Sequence, residues 1–184
     1  GTPGVGKTSA SKLLASQLHA RYIDLSELAL RDRLLLGWDD NRKTAVADVE
    51  RLSTRLAEIA ASSEESFVVD GHYASDVVPS DVVSFVFVLR RDPWMLKKEL
   101  ESRGYGSEKV RENVAAEILD ICLSEAVAAF GEQRVSEIDV TDLSPEETVD
   151  KLLSIIRTGR ALGVGLVDWL SRPGIEGLLE KSTW

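Results

Sequence analysis

The sequence predicts an α/β fold built on a parallel sheet, and three observations carry that prediction. Apolar runs of strand length lack the alternation of a half-wet sheet, amphipathic helical stretches separate them, and a glycine-rich loop opens the chain and feeds a helix. Strands buried on both faces read as continuous β-rich runs, and intervening helices supply the crossovers that parallel pairing needs.

Taken in order, Ala10, Leu13, Leu14 and Leu18 share one face of a first helix. RYIDL (21–25) is a short strand. Ser26 is expected to cap a helix through Leu35, which GWDDNR then ends. The spacing of Val49, Leu52, Leu56 and Ile59 predicts a helix over roughly 46–62. SFVVD (66–70) and VSFVFVLR (83–90) are the unbroken apolar strands. Asp92 and Pro93 read as the N-cap and first-turn proline of a helix reaching Arg103, where GYG stops it. A long helix from Ser107 to Phe130 is expected next, with Val110, Val114, Ile118 and Ile121 facing inward. VSEIDV (135–140) is the last strand, and SPEE (144–147) is a capping box for a helix through Ile156. Residues 1–158 therefore form one domain. Residues 159–184, broken by Pro173, form a C-terminal extension. Its apolar points Val167, Leu170, Ile175, Leu178 and Leu179 are expected to pack back on the domain, ahead of a partner-docking role.

Composition narrows the function classes. The chain of 184 residues carries a net charge of −9, which argues against a broad non-specific grip on nucleic acid. Its tryptophans, at 38, 94, 169 and 184, form no stacking array with interleaved basic residues. An anionic ligand must instead be held by a focused set of cations and backbone amides. The single cysteine, Cys122, excludes an intrachain disulfide and suits a reducing compartment, so a cytoplasmic location is expected. No apolar run approaches membrane-span length, and no membrane partner is expected.

The opening loop holds the clearest chemistry. Gly1, Gly6, Lys7 and Thr8 satisfy G-x-x-x-x-G-K-[ST], the P-loop pattern. Gly4 and Gly6 let the backbone wrap closely, so that loop amides reaching Ser9 converge on anionic oxygens at a helix N-terminus. Lys7 reaches the terminal phosphates of ATP, and the Thr8 hydroxyl is a ligand for Mg²⁺. Asp70, at the end of an apolar strand, is expected to hold the same ion through water. The expected architecture is thus a P-loop NTPase three-layer sandwich.

Four stretches, GTPGVGKT, DGH, VFVLRRDP and ESRGYGSEKVRENVAAEI, together resemble the adenylate kinases of the nuclear isoenzyme-six type, the coilin-interacting nuclear ATPase family, and their archaeal counterparts. The resemblance covers most of residues 1–157, and R-G-Y…K-V-x-E-N-V-x-x-E-I is its most specific part. It implies a nucleoside-monophosphate kinase core with sheet order 2-3-1-4-5, an NMP-binding segment at about 24–47 and a lid at about 102–112. It further implies transfer from ATP to AMP or a related monophosphate, ATPase activity, and a link to small-subunit ribosomal RNA maturation through a platform ribosomal protein. An ATP-driven assembly factor with incidental AMP turnover is the rival reading. A kinase for shikimate or a sugar acid is disfavoured by the lid match.

On that resemblance, Arg103 is expected to swing in with the lid over the phosphates, with Lys109 and Arg111 as possible helpers. His72 matches the family's D-x-H and is a candidate for orienting water. Arg42 is the candidate for the acceptor phosphate, with Asp48 and Arg51 behind it, and Arg90, at a strand's carboxyl end, is a candidate either to contact the acceptor phosphate or to support residues that do. In a 2-3-1-4-5 sheet the strand before the P-loop is central, between 66–70 and 83–90. No segment here is spare to fill it, so the first strand is expected to be missing and the chain to be an N-terminally incomplete version of its gene product.

Overall fold

The computed structural model describes residues 1–39 and 44–179. Along the chain these form α1 (Lys7–Leu18), β1 (Arg21–Asp24), α2 (Leu25–Arg31), β2 (Leu35–Asp39), β3 (Thr44–Ala47), α3 (Val49–Ala61), β4 (Phe67–Asp70) and α4 (Ala74–Val77). There follow β5 (Val86–Arg90), α5 (Pro93–Ser102), α6 (Ser107–Ile118), α7 (Ile121–Phe130), β6 (Val135–Asp139), α8 (Pro145–Thr158) and α9 (Glu176–Leu179).

Parallel pairing is present as expected. β1 pairs with β4, setting Asp24 beside Asp70, and β5 pairs with β6, setting Arg90 beside Asp139. These are pairs 2–3 and 4–5 of the expected order. A cavity of about 700 Å³ lies between them, walled by Val68 and Val69 on one side and Phe87 and Leu89 on the other. Helices cover the sheet pairs. Leu14, Leu96, Leu100, Val114, Ile118 and Leu152 form one buried cluster, while Ile23, Leu25, Leu28, Leu52 and Leu56 form a second under α2 and α3.

Two expected helices differ from the sequence reading. The helix after β1 ends at Arg31, not Leu35, because Arg33 takes a left-handed φ of 56° and the chain turns into an antiparallel β2–β3 hairpin. Its cap is the Asp24 side chain, which accepts from the Ser26 and Glu27 amides, so Ser26 sits in the first turn. The long helix over 107–130 is two, α6 and α7, parted at Asp120 with φ 56°. Aspartate tolerates that left-handed conformation better than most residues. Arg90 donates to its carboxylate, which helps hold the break.

The tail folds back on the domain. Gly163 forms a parallel bridge with Ser136 and accepts from the Glu137 amide at 3.0 Å. Trp169 and Ile175 are buried, and Arg172 pairs with Asp92 while lying over the rings of Trp94 and Trp169.

Candidate active site

The opening loop runs over the carboxyl end of β5 and delivers its glycines into α1. A Cβ on Gly1 would lie 2.3 Å from the Leu89 carbonyl oxygen, and one on Gly4 would press on Leu96 and Leu100. Gly4 and Gly6 both have positive φ, 94° and 101°, which side chains rarely adopt. Larger residues are excluded from Gly1 and Gly4 by space and from Gly4 and Gly6 by backbone conformation. The Arg91 guanidinium donates to the Gly4 carbonyl at 3.2 Å and steadies the turn from outside.

Lys7 opens α1 and turns back over the loop. Its Nζ donates to the carbonyls of Gly1 and Thr2, each at 2.8 Å. Burial pushes its pKa below the ordinary lysine value, and the Asp70 carboxylate works against that shift. An ammonium held this way is close to fixed, with donors that can be redirected to a phosphate.

Thr8 and Asp70 meet from different elements. The Thr8 hydroxyl donates to Asp70 Oδ2 at 2.7 Å, and the Tyr22 hydroxyl donates to the same oxygen at 3.2 Å. Asp70 is only 5% exposed. Strand register explains the Tyr22 contact, because Tyr22 and Asp24 on β1 run beside Val68 and Asp70 on β4. Burial, followed by the Asp70 and Asp24 carboxylates, pushes the Tyr22 phenol well above its usual pKa, so it remains a donor. A hydroxyl and a carboxylate together at a helix N-terminus suit a hard divalent cation that keeps several waters and takes further oxygens from phosphate. No larger cluster of metal-ligating side chains occurs among the described residues.

A polar cleft of about 210 Å³ opens above these groups. Lys7, Thr8 and Asp70 line its floor, and Asp24, His72 and Arg103 line its sides. The His72 ring stands edge-on to Tyr73, with centroids 4.7 Å apart. Its outer side is exposed, yet the protein packed about the cleft, and Lys7 after it, push its pKa below the usual histidine value. Arg103 follows the last turn of α5 and is held by Glu99 at 2.7 Å on its own helix. Gly104, with φ 76°, sits directly beyond it.

The structure therefore brings Gly4, Gly6, Lys7, Thr8, Ser9, Asp70, His72 and Arg103 to one cleft. Arg90 as a phosphate contact is a correction. It is 1% exposed and donates to Glu117, Glu137 and Asp120, so an acceptor phosphate in the cleft cannot reach its guanidinium. Its carboxylate partners on α6, on β6 and at the α6–α7 break, not the cleft mouth, govern where it points. Arg42 lies outside the described residues. Asp48 caps α3 by accepting from the Arg51 amide, which gives that aspartate a structural use. Lys109 lies over the Tyr105 ring at 4.8 Å.

Sequence reasoning missed Tyr22, Asp24 and Glu117. For Glu117 a signal existed. It lies three residues past Val114 and seven past Val110, on the helix face that was assigned to the core. An acid on an apolar face calls for buried partners.

The family model described as AAA domain matches residues 1–120. A "Putative adenylate kinase" of Thermococcus onnurineus is 40% identical over 169 residues, 92% of this chain and 88% of its own. Proteins of the same name from Methanocaldococcus jannaschii and Saccharolobus solfataricus are 37% and 35% identical, over 94% and 98% of this chain and 91% and 90% of theirs. A shikimate kinase crystal structure from Bacteroides thetaiotaomicron aligns with a TM-score of 0.47 at 15% identity, over 85% of this chain and 94% of that one.

Proposed function

The chain belongs to the family of these archaeal adenylate kinases, and from that premise we propose a broad-specificity nucleoside-monophosphate kinase, ATP plus AMP giving two ADP, with ATPase activity. The observation that carries the reading is the convergence of Lys7, Thr8 and Asp70 on one polar cleft faced by Arg103. An oxygen of the acceptor phosphate attacks the γ-phosphorus of ATP, and the bond to the β,γ-bridging oxygen breaks as ADP leaves. In this reading Lys7 and the loop amides around Gly4, Gly6 and Ser9 hold the donor phosphates. Arg103 exchanges Glu99 for phosphate as the lid closes, and closure excludes water. Thr8 and Asp70 would hold Mg²⁺, which neutralises charge on the β- and γ-oxygens when bound. His72 orients water when no acceptor is present.

The finer reading places the protein with the nuclear isoenzyme-six type, in the cytoplasm, linked to small-subunit rRNA maturation through a platform ribosomal protein. Its support is the R-G-Y…K-V-x-E-N-V-x-x-E-I stretch, which runs from the C-cap of α5 to the end of α6. In the alternative, ATP hydrolysis drives an assembly step on that ribosomal protein and AMP turnover is incidental. Parallel assays of ADP formation and phosphate release separate the two. Stimulation by AMP supports the kinase, whereas turnover that ignores AMP and responds to the ribosomal protein supports the assembly factor.

A further inference from the structure

A buried ionic cluster lies behind the loop, outside the cleft. Glu117, on the last turn of α6, is 2% exposed, Arg90 is 1% exposed and Glu137 is 1% exposed. Arg90 Nε donates to Glu117 Oε1 at 2.7 Å and its Nη2 to the Glu117 carbonyl at 2.8 Å. Its remaining donors meet Glu137 and Asp120. One guanidinium thus faces two fully buried carboxylates and a third at the rim. Burial opposes the Arg90 charge, but Glu117 and Asp120 outweigh it and hold its pKa above the ordinary value.

The excess negative charge is met by neutral donors from distant parts of the chain. Glu117 Oε1 accepts from the Arg91 amide at 3.1 Å and from the Trp169 indole at 3.1 Å, and its Oε2 accepts from the Thr2 hydroxyl at 2.6 Å. Glu137 Oε2 accepts from the tail amides of Leu166 and Val167 at 2.7 and 3.3 Å. A buried carboxylate is tolerated only when its lone pairs are filled, so each donor is constrained by all the others. Thr2 is the consequential one. Its side chain is held by Glu117, while its carbonyl accepts from Lys7 Nζ at 2.8 Å.

We propose that Glu117 is a positioning residue for the phosphate loop. Through Thr2 it sets Lys7, and it ties the loop to the helix that leaves the lid and to Trp169 of the tail. The inference rests on the reading of Lys7 as the donor-phosphate residue. Glu117 touches no reacting atom, and what its bond to Thr2 does for turnover passes through Lys7. It also gives a use to the final E-I of the specific motif, which the cleft leaves unexplained.

The test is a mutant cycle on the full chain, read by ADP formation and by melting curves at each step. Thr2→Val keeps the side-chain volume and removes the hydroxyl. The expected result is a fall in kcat of about tenfold, larger than the rise in ATP KM, at a temperature where both proteins are fully folded. Thr2→Ser returns the hydroxyl and is expected to recover kcat. In a Lys7→Ala background Thr2→Val should then change nothing further, since residues acting as a unit are not additive. Wild-type kcat in Thr2→Val, or an undiminished effect in the Lys7→Ala background, overturns the proposal while leaving the kinase reading intact. Should Thr2→Val not fold, Glu117→Gln is read in the same cycle with the same two outcomes. Failure of the unmutated protein to bind ATP, seen by calorimetry, overturns both readings.

Discussion

The Thr8 hydroxyl and the Asp70 carboxylate, 62 residues apart in sequence, are joined by a hydrogen bond of 2.7 Å at the floor of the cleft. Neither needs the other for folding, since Thr8 sits in the first turn of α1 and Asp70 ends a paired strand. Their contact prepares two oxygens for a shared cation. Asp70→Asn keeps the shape and a hydrogen bond but weakens that oxygen as a ligand. We expect the Mg²⁺ concentration for half-maximal activity to rise roughly 10- to 100-fold. A titration of Mg²⁺ in the ADP-formation assay checks this, and an unchanged half-saturation point would remove Asp70 from the metal site.

Lys7→Ala should cut kinase and ATPase turnover together to a small measurable residue, because both reactions draw on the same γ-phosphate and the same ammonium. Removing one preorganised charge-stabilising donor costs on the order of 10²- to 10³-fold in kcat. The fold should survive, since the Nζ contacts are to carbonyls within the loop itself. Wild-type hydrolysis by the mutant would place the site elsewhere.

For His72→Ala the losses should be unequal. Water needs positioning by protein groups, while a bound monophosphate brings its own orientation, so hydrolysis is expected to fall more than transfer to AMP. Equal losses would point to a structural role.

The same histidine makes a pH prediction. Burial and Lys7 hold its folded pKa below the 6.5 of a free imidazole, with Lys109 acting in the same sense and Asp70 against it. As pH falls through 6.5 the unfolded chain takes up this proton first, so it binds more protons than the folded chain and stability drops. The loss grows until the folded pKa is reached and is constant below it. His72→Gln removes that contribution. Between pH 7 and pH 5 the wild type should lose melting temperature faster than the variant, and parallel slopes would show that His72 is not held neutral.

The P-loop, the strand-end Asp70 and the parallel pairing were all legible in the sequence because each depends on local pattern. Glycine spacing, an apolar run and a capping aspartate each declare themselves within a few residues. Tertiary partners decided the rest. Arg90 follows its strand as a phosphate residue would, yet Glu117 and Glu137, 27 and 47 residues away, take its donors. The helix break at Asp120 is invisible to periodicity, which continues from Ile118 to Ile121, and depends on one left-handed residue. The β2–β3 hairpin was hidden for a related reason. LLLGWDD contains no turn dipeptide, and Leu36 and Trp38 are 71% and 62% exposed, so burial does not pattern that strand.

Trp169 separates packing from hydrogen bonding in the tail. Its ring is 5% exposed, and its indole N–H donates to Glu117 at 3.1 Å. Trp169→Ala removes both and leaves a cavity against a buried carboxylate, for an expected loss of about 3–5 kcal/mol. In a domain of this size that corresponds to a fall in melting temperature on the order of 10 °C. Trp169→Phe retains most of the apolar contact and forfeits the donor, at an expected cost of about 1–3 kcal/mol. Leu170, the next residue, is 52% exposed, and Leu170→Ala should stay within about 0.5 kcal/mol of wild type. Urea unfolding of the three variants measures all of these on one scale. If Trp169→Ala melts with the wild type, the tail is not part of the folded domain. If Trp169→Phe costs as much as Trp169→Ala, the Glu117 hydrogen bond rather than the ring anchors it.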